Sequence, residues 1–312
     1  MDKVRLGRTN VDVSVVGLGC GGHSRLGLAK GKDNAHAAGI VSAALDLGVT
    51  FIDTARAYGT EEAVGMGLKG RRDQVFLSTK SSAGRPGEGI SAAALTESLE
   101  GSLKRLGTDH VDVFHLHGVQ AGLYDHCVNE LLPEMKRQQE KGKIRFLGIT
   151  EQFGQDTDHK MLQRALPEAH FDIVMIGFNL LNPSAHKTVF PLTQQKDIGT
   201  LTMFAVRRAI SNPEALRELV ADVVKRGQVK AGAVNAADPL DFVRAAPGVK
   251  SEIEAAYRYC RHEPGAEVIL TGTSDVGHLK ENVASILAPK LPDDLLHKLD
   301  DVFGRVDSVS GN

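Results

Sequence analysis

The chain has 312 residues, of which 42% are hydrophobic, enough for a large buried core. Its 37 Lys and Arg against 39 Asp and Glu leave a net charge of −2, with no basic surplus to attract nucleic acid. No apolar run has the length of a membrane span, Met1-Asp2-Lys3-Val4-Arg5 lacks a signal-peptide pattern, and Cys20, Cys127 and Cys260 lack metal-ligand spacing. A soluble protein of a reducing, cytoplasmic compartment is the expectation, with no metal, no nucleic acid and no membrane partner.

Residues 3–14, KVRLGRTNVDVS, read as a hairpin turning at Gly7-Arg8-Thr9-Asn10. Strand-like runs follow at 15–19, 51–55, 75–80, 111–117, 144–150, 172–179, 200–206 and 267–273. Asn34 is expected to cap a first helix, in which Ile40, Val41, Ala44, Leu45 and Leu47 share a face before Gly48 ends it. Leu95, Leu99, Leu103 and Leu106 stripe another helix that stops at Gly107. Further helices are predicted at 127–141, 157–165, 184–195, 213–226, 276–287 and 293–303. The break from Arg207 to about Pro264 has helix-like segments at 213–226 and 251–261 and is expected to shape a pocket.

Eight strands alternating with helices predict an α/β fold: one domain, residues 1–312, built as a (β/α)8 TIM barrel with an N-terminal β-hairpin and extra C-terminal helices. A doubly wound open sheet is the alternative. Gly17, Gly19 and Gly22 do satisfy the dinucleotide-binding spacing G-x-G-x-x-G. That motif needs its last glycine to open a helix, with an acid roughly 20 residues on. Here HSRLGLAKGKDN intervenes, and Ser42 stands at that distance. The glycines therefore read better as a turn at the end of a first barrel strand, where small residues let a ligand lie near the backbone.

The polar residues cluster at predicted C-terminal strand ends, the rim that carries the site in such barrels. Strand two ends in Asp53 and is followed by Tyr58; strand three ends in Ser78-Thr79-Lys80; strand four ends in His115-Leu116-His117. Side chains alternate along a strand, so Lys80 shares its face with Ser78, and His117 shares its face with the deeper His115. An inward Lys80 and Asp53 must pair, because an unpaired buried charge is very costly. The ammonium then lowers the pKa of a neighbouring Tyr58 phenol toward the working pH, fitting it for general acid–base catalysis. A neutral histidine nearby can hold a carbonyl oxygen. Singly, Asp53 reads as a cap, Tyr58 as a half-buried aromatic, Lys80 as a surface residue and His115 as a core histidine.

With these residues in view, the chain resembles the aldo/keto reductase superfamily along nearly its whole length. GVTFIDTARAYGTEEAVGMGL (48–68), FLSTK (76–80), LKRLGTDHVDVFHLHG (103–118), GKIRFLGIT (142–150) and ILTGTSDVGHLKEN (269–282) carry the resemblance in order. It implies a (β/α)8 barrel and hydride transfer between nicotinamide, as NADP(H) or NAD(H), and a small-molecule carbonyl or alcohol. By position it implies that Asp53 supports Lys80, Lys80 tunes Tyr58, Tyr58 moves the proton and His117 orients the substrate oxygen. It also places Gly19, Cys20 and Gly21, together with Asp53, beside the nicotinamide.

Other positions depart from the resemblance. Ser-Asn usually follows strand five and a glutamine lies on strand six, holding the nicotinamide carboxamide; here the residues are Thr150-Glu151-Gln152 and Met175. Thr150 can replace the hydroxyl, whereas an ionised Glu151 accepts but cannot donate. Phe204 reads either as the ring that stacks on nicotinamide or as barrel core. Arg207-Arg208 reads as a pyrophosphate clamp or a solvated pair. Gly272, Thr273, Ser274, His278 and Asn282 follow strand eight, where a helix N-terminus can meet phosphate. Asp275 there would repel a ribose 2′-phosphate, so the choice between NAD and NADP stays open. A lyase forming a Schiff base on Lys80 and a non-catalytic dinucleotide sensor are the rival functions. Oligomeric state leaves no mark on the sequence.

Overall fold

The computed structural model describes residues 1–312. Eight parallel strands close into a barrel: Val16–Gly19, Phe51–Asp53, Phe76–Ser82, Val111–Val119, Ile144–Glu151, Ile173–Gly177, Gly199–Met203 and Val268–Thr271. Each pairs with its neighbours in sequence, and the eighth closes on the first through Ile269 opposite Val16 and Thr271 opposite Leu18. The open-sheet alternative is thereby removed.

Helices cover the outside, and the sequence explains the clearest of them. In Ala92–Leu106, the Ser91 side chain accepts the Ala94 N–H, and Gly107 at φ 66 ends the helix. Leu95, Leu99, Leu103 and Leu106 are buried against the barrel, each contributing about 1.5–3 kcal/mol. The first helix, Asn34–Asp46, is capped by Asp33, which accepts the His36 N–H at 2.9 Å, and not by Asn34. Both residue types cap well, and the extended backbone of Asp33 decides between them.

Other boundaries shift. The predicted helix at 127–141 begins at Tyr124 and passes through a π turn, Cys127–Leu131. The helix expected at 157–165 runs over Lys160–Glu168, because His159 adopts left-handed φ 63 just before it. The helix expected at 184–195 splits into Ala185–Thr188 and Phe190–Gln195. Helix Glu61–Gly67 and a small antiparallel ribbon, Gly84–Arg85 with Glu88–Gly89, were not anticipated. The long break after strand seven holds Arg208–Ser211, Pro213–Lys225, Asp241–Arg244 and Glu252–Arg261. With Asp293–Phe303 these helices bury their own apolar cluster, including Leu216, Val220, Leu295 and Phe303.

The N-terminal hairpin, Lys3–Arg5 with Asp12–Ser14, plugs the barrel floor. Leu6 joins Phe51, Phe76, Val113, Ile173, Leu201 and Val268 in an apolar layer inside the barrel. Glu267 clamps the plug, accepting the N–H of Gly7 at 3.2 Å and of Thr200 at 3.0 Å. This filled floor leaves the C-terminal rim as the open end. No helix is long and apolar enough to cross a membrane.

Candidate active site

Strand alternation decides which side chains meet at the rim. Phe51 lies in the interior layer, so Asp53 two residues on also points inward, and the same logic carries Phe76 to Ser78 and Lys80 and Val113 to His115 and His117. Register then aligns Asp53 with Ser78, Lys80 with His115, and Ser82 with His117. Lys80 Nζ lies 2.6 Å from Asp53 Oδ2 and donates to the Thr54 carbonyl at 2.8 Å. Ser78 Oγ donates to the other Asp53 oxygen at 2.7 Å.

Tyr58 stands on the short turn Arg56–Tyr58, which Gly59 ends at φ 69. Its hydroxyl is 3.5 Å from Lys80 Nζ and 3.3 Å from His117 Nε2. Contacts this long are common where a catalytic group awaits its substrate. A Cβ on Gly21 would lie 2.8 Å from the Tyr58 ring, so the ring packs directly on glycine backbone. Likewise a Cβ on Gly272 would lie 2.5 Å from the Gly19 carbonyl oxygen. The glycine-rich turn thus serves close approach, and Gly22, at φ 73, opens no helix.

Behind this group, Thr79 donates to Glu61 at 2.6 Å and Arg105 reaches the other Glu61 oxygen at 2.7 Å. The lysine strand is therefore anchored to two helices. His115 is fully buried beneath His117 with neither ring nitrogen hydrogen-bonded. It occupies the volume that a Cβ on Gly148 would need.

The electrostatics differ from the sequence expectation at Tyr58. Burial raises the phenol, and the opposing pull of Lys80 only reduces that rise; Tyr58 titrates above its ordinary value. Burial likewise raises Asp53 against the pull of Lys80. It disfavours charge on Lys80, but Asp53 and Tyr58 outweigh it and hold Lys80 above its ordinary value. Burial and then the Lys80 charge push His117 down to about 3, so its imidazole is neutral at neutral pH.

A cleft of about 1200 Å³ opens over this group. Gly19, Gly21, Asp53, Tyr58, Met175, Phe204, Arg207, Gly272, Thr273, Ser274, His278 and Asn282 line it. Lys80, His117, Cys20, Thr150 and Glu151 do not, Lys80 and His117 reaching the cleft through the Tyr58 hydroxyl. Cys20 is buried, and burial raises its thiol far above the usual range. Thr150 Oγ1 accepts the Gly118 N–H at 2.7 Å. Glu151 turns out of the barrel toward His159. Asp275 caps helix Val276–Ile286 by accepting the His278 N–H at 2.9 Å. His23, Lys30, Lys250 and Tyr257 also line the cleft and were missed. His23 and Lys30 come from the loop after strand one, whereas Lys250 and Tyr257 come from the 207–264 segment expected to shape the pocket, Tyr257 on the helix Glu252–Arg261, whose pattern marks a helix but not which residue meets the cleft. Arg207 lies 3.7 Å over the Phe204 ring, and its buried Nε has no partner. The glycine-lined wall, the unpartnered guanidinium and the helix N-terminus form a cleft with the donor set a dinucleotide requires.

A model of the Aldo/keto reductase family matches residues 17–303. The aldo-keto reductase YhdN of Bacillus subtilis (strain 168) is 30% identical over 302 residues, spanning 90% of this chain and 87% of that protein. L-galactose dehydrogenase of Arabidopsis thaliana is 28% identical over 307 residues, spanning 90% and 86%. Among solved structures, the holo form of an aldo-keto reductase from Bacillus halodurans superposes with a TM-score of 0.72 at 24% identity, covering 96% of this chain and 95% of that one. An aldo/keto reductase from Klebsiella pneumoniae, in complex with NADP and acetate, has a TM-score of 0.68 at 23% identity, covering 98% and 97%.

Proposed function

Because the chain belongs to the aldo/keto reductase family, we propose that it is an NAD(P)-dependent oxidoreductase acting on the carbonyl or alcohol group of an aldehyde, ketone or aldose. One observation carries this reading: the buried Lys80–Asp53 pair reaches the Tyr58 hydroxyl, which lines the cleft and in turn meets His117. The nicotinamide, when bound, supplies or receives the hydride. Gly19, Gly21, Gly272, Thr273, Ser274, His278 and Asn282 would hold the dinucleotide, with Arg207 on its anionic part and Met175 and Phe204 packing at its nicotinamide end.

In reduction, Tyr58 donates its proton to the substrate oxygen. Its raised pKa suits an acid, since the phenol stays protonated at neutral pH. Lys80 stabilises the phenolate that remains, and Asp53 keeps Lys80 charged in a buried place. His117, held neutral, hydrogen-bonds the same oxygen without adding charge. In oxidation these groups run backwards, with the phenolate as base.

The Lys80 amine bears on Asp53, Thr54 and Tyr58 and titrates above its ordinary value. This weighs against the neutral amine that Schiff-base chemistry needs. A sensor would have no use for the proton relay. The test is a screen of aldehydes, ketones and aldoses with NADP(H) and with NAD(H), followed at the nicotinamide absorbance band. L-galactose dehydrogenase among the relatives is the reason to include aldoses. Cofactor-dependent turnover supports the proposal. Borohydride trapping of a carbonyl compound on Lys80 without nicotinamide supports the lyase, and tight cofactor binding with no turnover supports the sensor.

A further inference from the structure

A second buried polar cluster lies at the rim of strands five and six. His159 Nδ1 is 2.9 Å from Glu151 Oε2 and 3.0 Å from Oε1, and Gly177 donates its N–H to Oε1 at 2.7 Å. His159 Nε2 is 3.0 Å from Ser184 Oγ. The order carboxylate, imidazole, hydroxyl invites a hydrolytic reading, but neither Glu151 nor His159 reaches solvent and none of the three lines the cleft. The imidazole packs instead on an aromatic chain that does reach it. His159 stacks on Phe153 with centroids 5.3 Å apart and planes 14° apart. Phe153 fills the space over Gly177, where a Cβ would lie 2.1 Å from its Cγ. Phe153 then meets Phe204 edge to face at 5.4 Å.

Both ends of this chain carry backbone strain. His159 has φ 63 and Phe204 has φ 70, left-handed values that strain a non-glycine residue and persist only where the surroundings impose them. Phe204 is also the residue that presents its ring to the cleft.

We propose that Glu151 and His159 are positioning residues for cofactor binding: the pair fixes the Phe153 ring, and that ring holds Phe204 in the orientation from which it packs on the cofactor. This rests on the function proposed above, in which Phe204 packs at the nicotinamide end. The pair acts at a distance, so its loss weakens cofactor binding while the proton relay stays in place.

The experiment is a fluorescence titration of NADPH and of NADH into the wild type, Glu151→Gln, Phe153→Leu and the double variant, with carbonyl KM and thermal midpoint measured alongside. The single variants are expected to weaken the cofactor Kd about tenfold with carbonyl KM unchanged. The double variant is expected to bind no more weakly than Phe153→Leu, because the influence of Glu151 passes through that ring. A lowered thermal midpoint with wild-type Kd, or single effects that multiply in the double variant, overturns the proposal. If Glu151→Gln does not fold, His159→Gln takes its place in the cycle. A wild-type chain that binds neither cofactor overturns this proposal and the function together; tight binding unaffected in the variants overturns this proposal alone.

Discussion

Lys80 Nζ lies 2.6 Å from Asp53 Oδ2, with the two side chains 0% and 3% exposed. A pair so placed is held by mutual necessity, since removing one partner strands the other in a medium that penalises charge. The pair also lies one contact away from the Tyr58 hydroxyl, the group proposed to carry the proton.

Lys80→Met separates these roles. Lys80 is the group that lowers the Tyr58 pKa against burial, so its removal drives that pKa further up. The rise with pH in alcohol oxidation, which needs the phenolate, is expected to move to higher pH. Denaturant unfolding of the same variant is expected to show a loss of about 3–5 kcal/mol from the stranded Asp53. An unchanged pH profile would remove Lys80 from the proton relay.

Gly21→Ala tests the close approach. The added methyl would sit 2.8 Å from the Tyr58 ring, so the ring must shift. Misplacing a catalytic group by about 1 Å costs on the order of a hundredfold in rate. A fall in kcat of about tenfold to a hundredfold is expected, with the thermal midpoint nearly kept. Wild-type kcat would mean that the ring has room to move without consequence.

Acid stability follows from His117. The unfolded imidazole takes a proton as pH falls through about 6.5, whereas the folded one resists until about 3. Its contribution to stability is therefore present above 6.5 and lost progressively below it. His115 acts in the same direction, driven first by burial and then by Lys80 and His117. Glu267, pushed up to about 7 by burial, acts oppositely: its contribution is full below the ordinary carboxyl range and fades as pH rises through 7. Comparing His117→Gln with the wild type by urea unfolding at about pH 7 and about pH 5 isolates the histidine. The variant is expected to lose less stability on acidification. An equal loss in both would mean that His117 is protonated in the fold.

The barrel was readable because each buried parallel strand is a short apolar run bounded by turn residues. Strand six ends at Gly177 instead of continuing to Asn179, because Asn179 pairs with Asn182 in a turn that composition does not announce. The rim quartet was readable from alternation together with the resemblance. Glu151 was not: its partner His159 lies eight residues on, in a left-handed conformation that no periodicity marks. The sign of the Tyr58 shift was also hidden, since the sequence displays the ammonium but not the depth at which the phenol is buried.

The most direct measurement is cofactor-dependent turnover by Tyr58→Phe on the best substrate found, alongside its cofactor Kd. Loss of the hydroxyl is expected to lower kcat by about a hundredfold to ten-thousandfold, with the cofactor Kd within about twofold of wild type. Near-normal kcat in this variant would contradict the assignment of Tyr58 as the proton carrier, and with it the proposed mechanism.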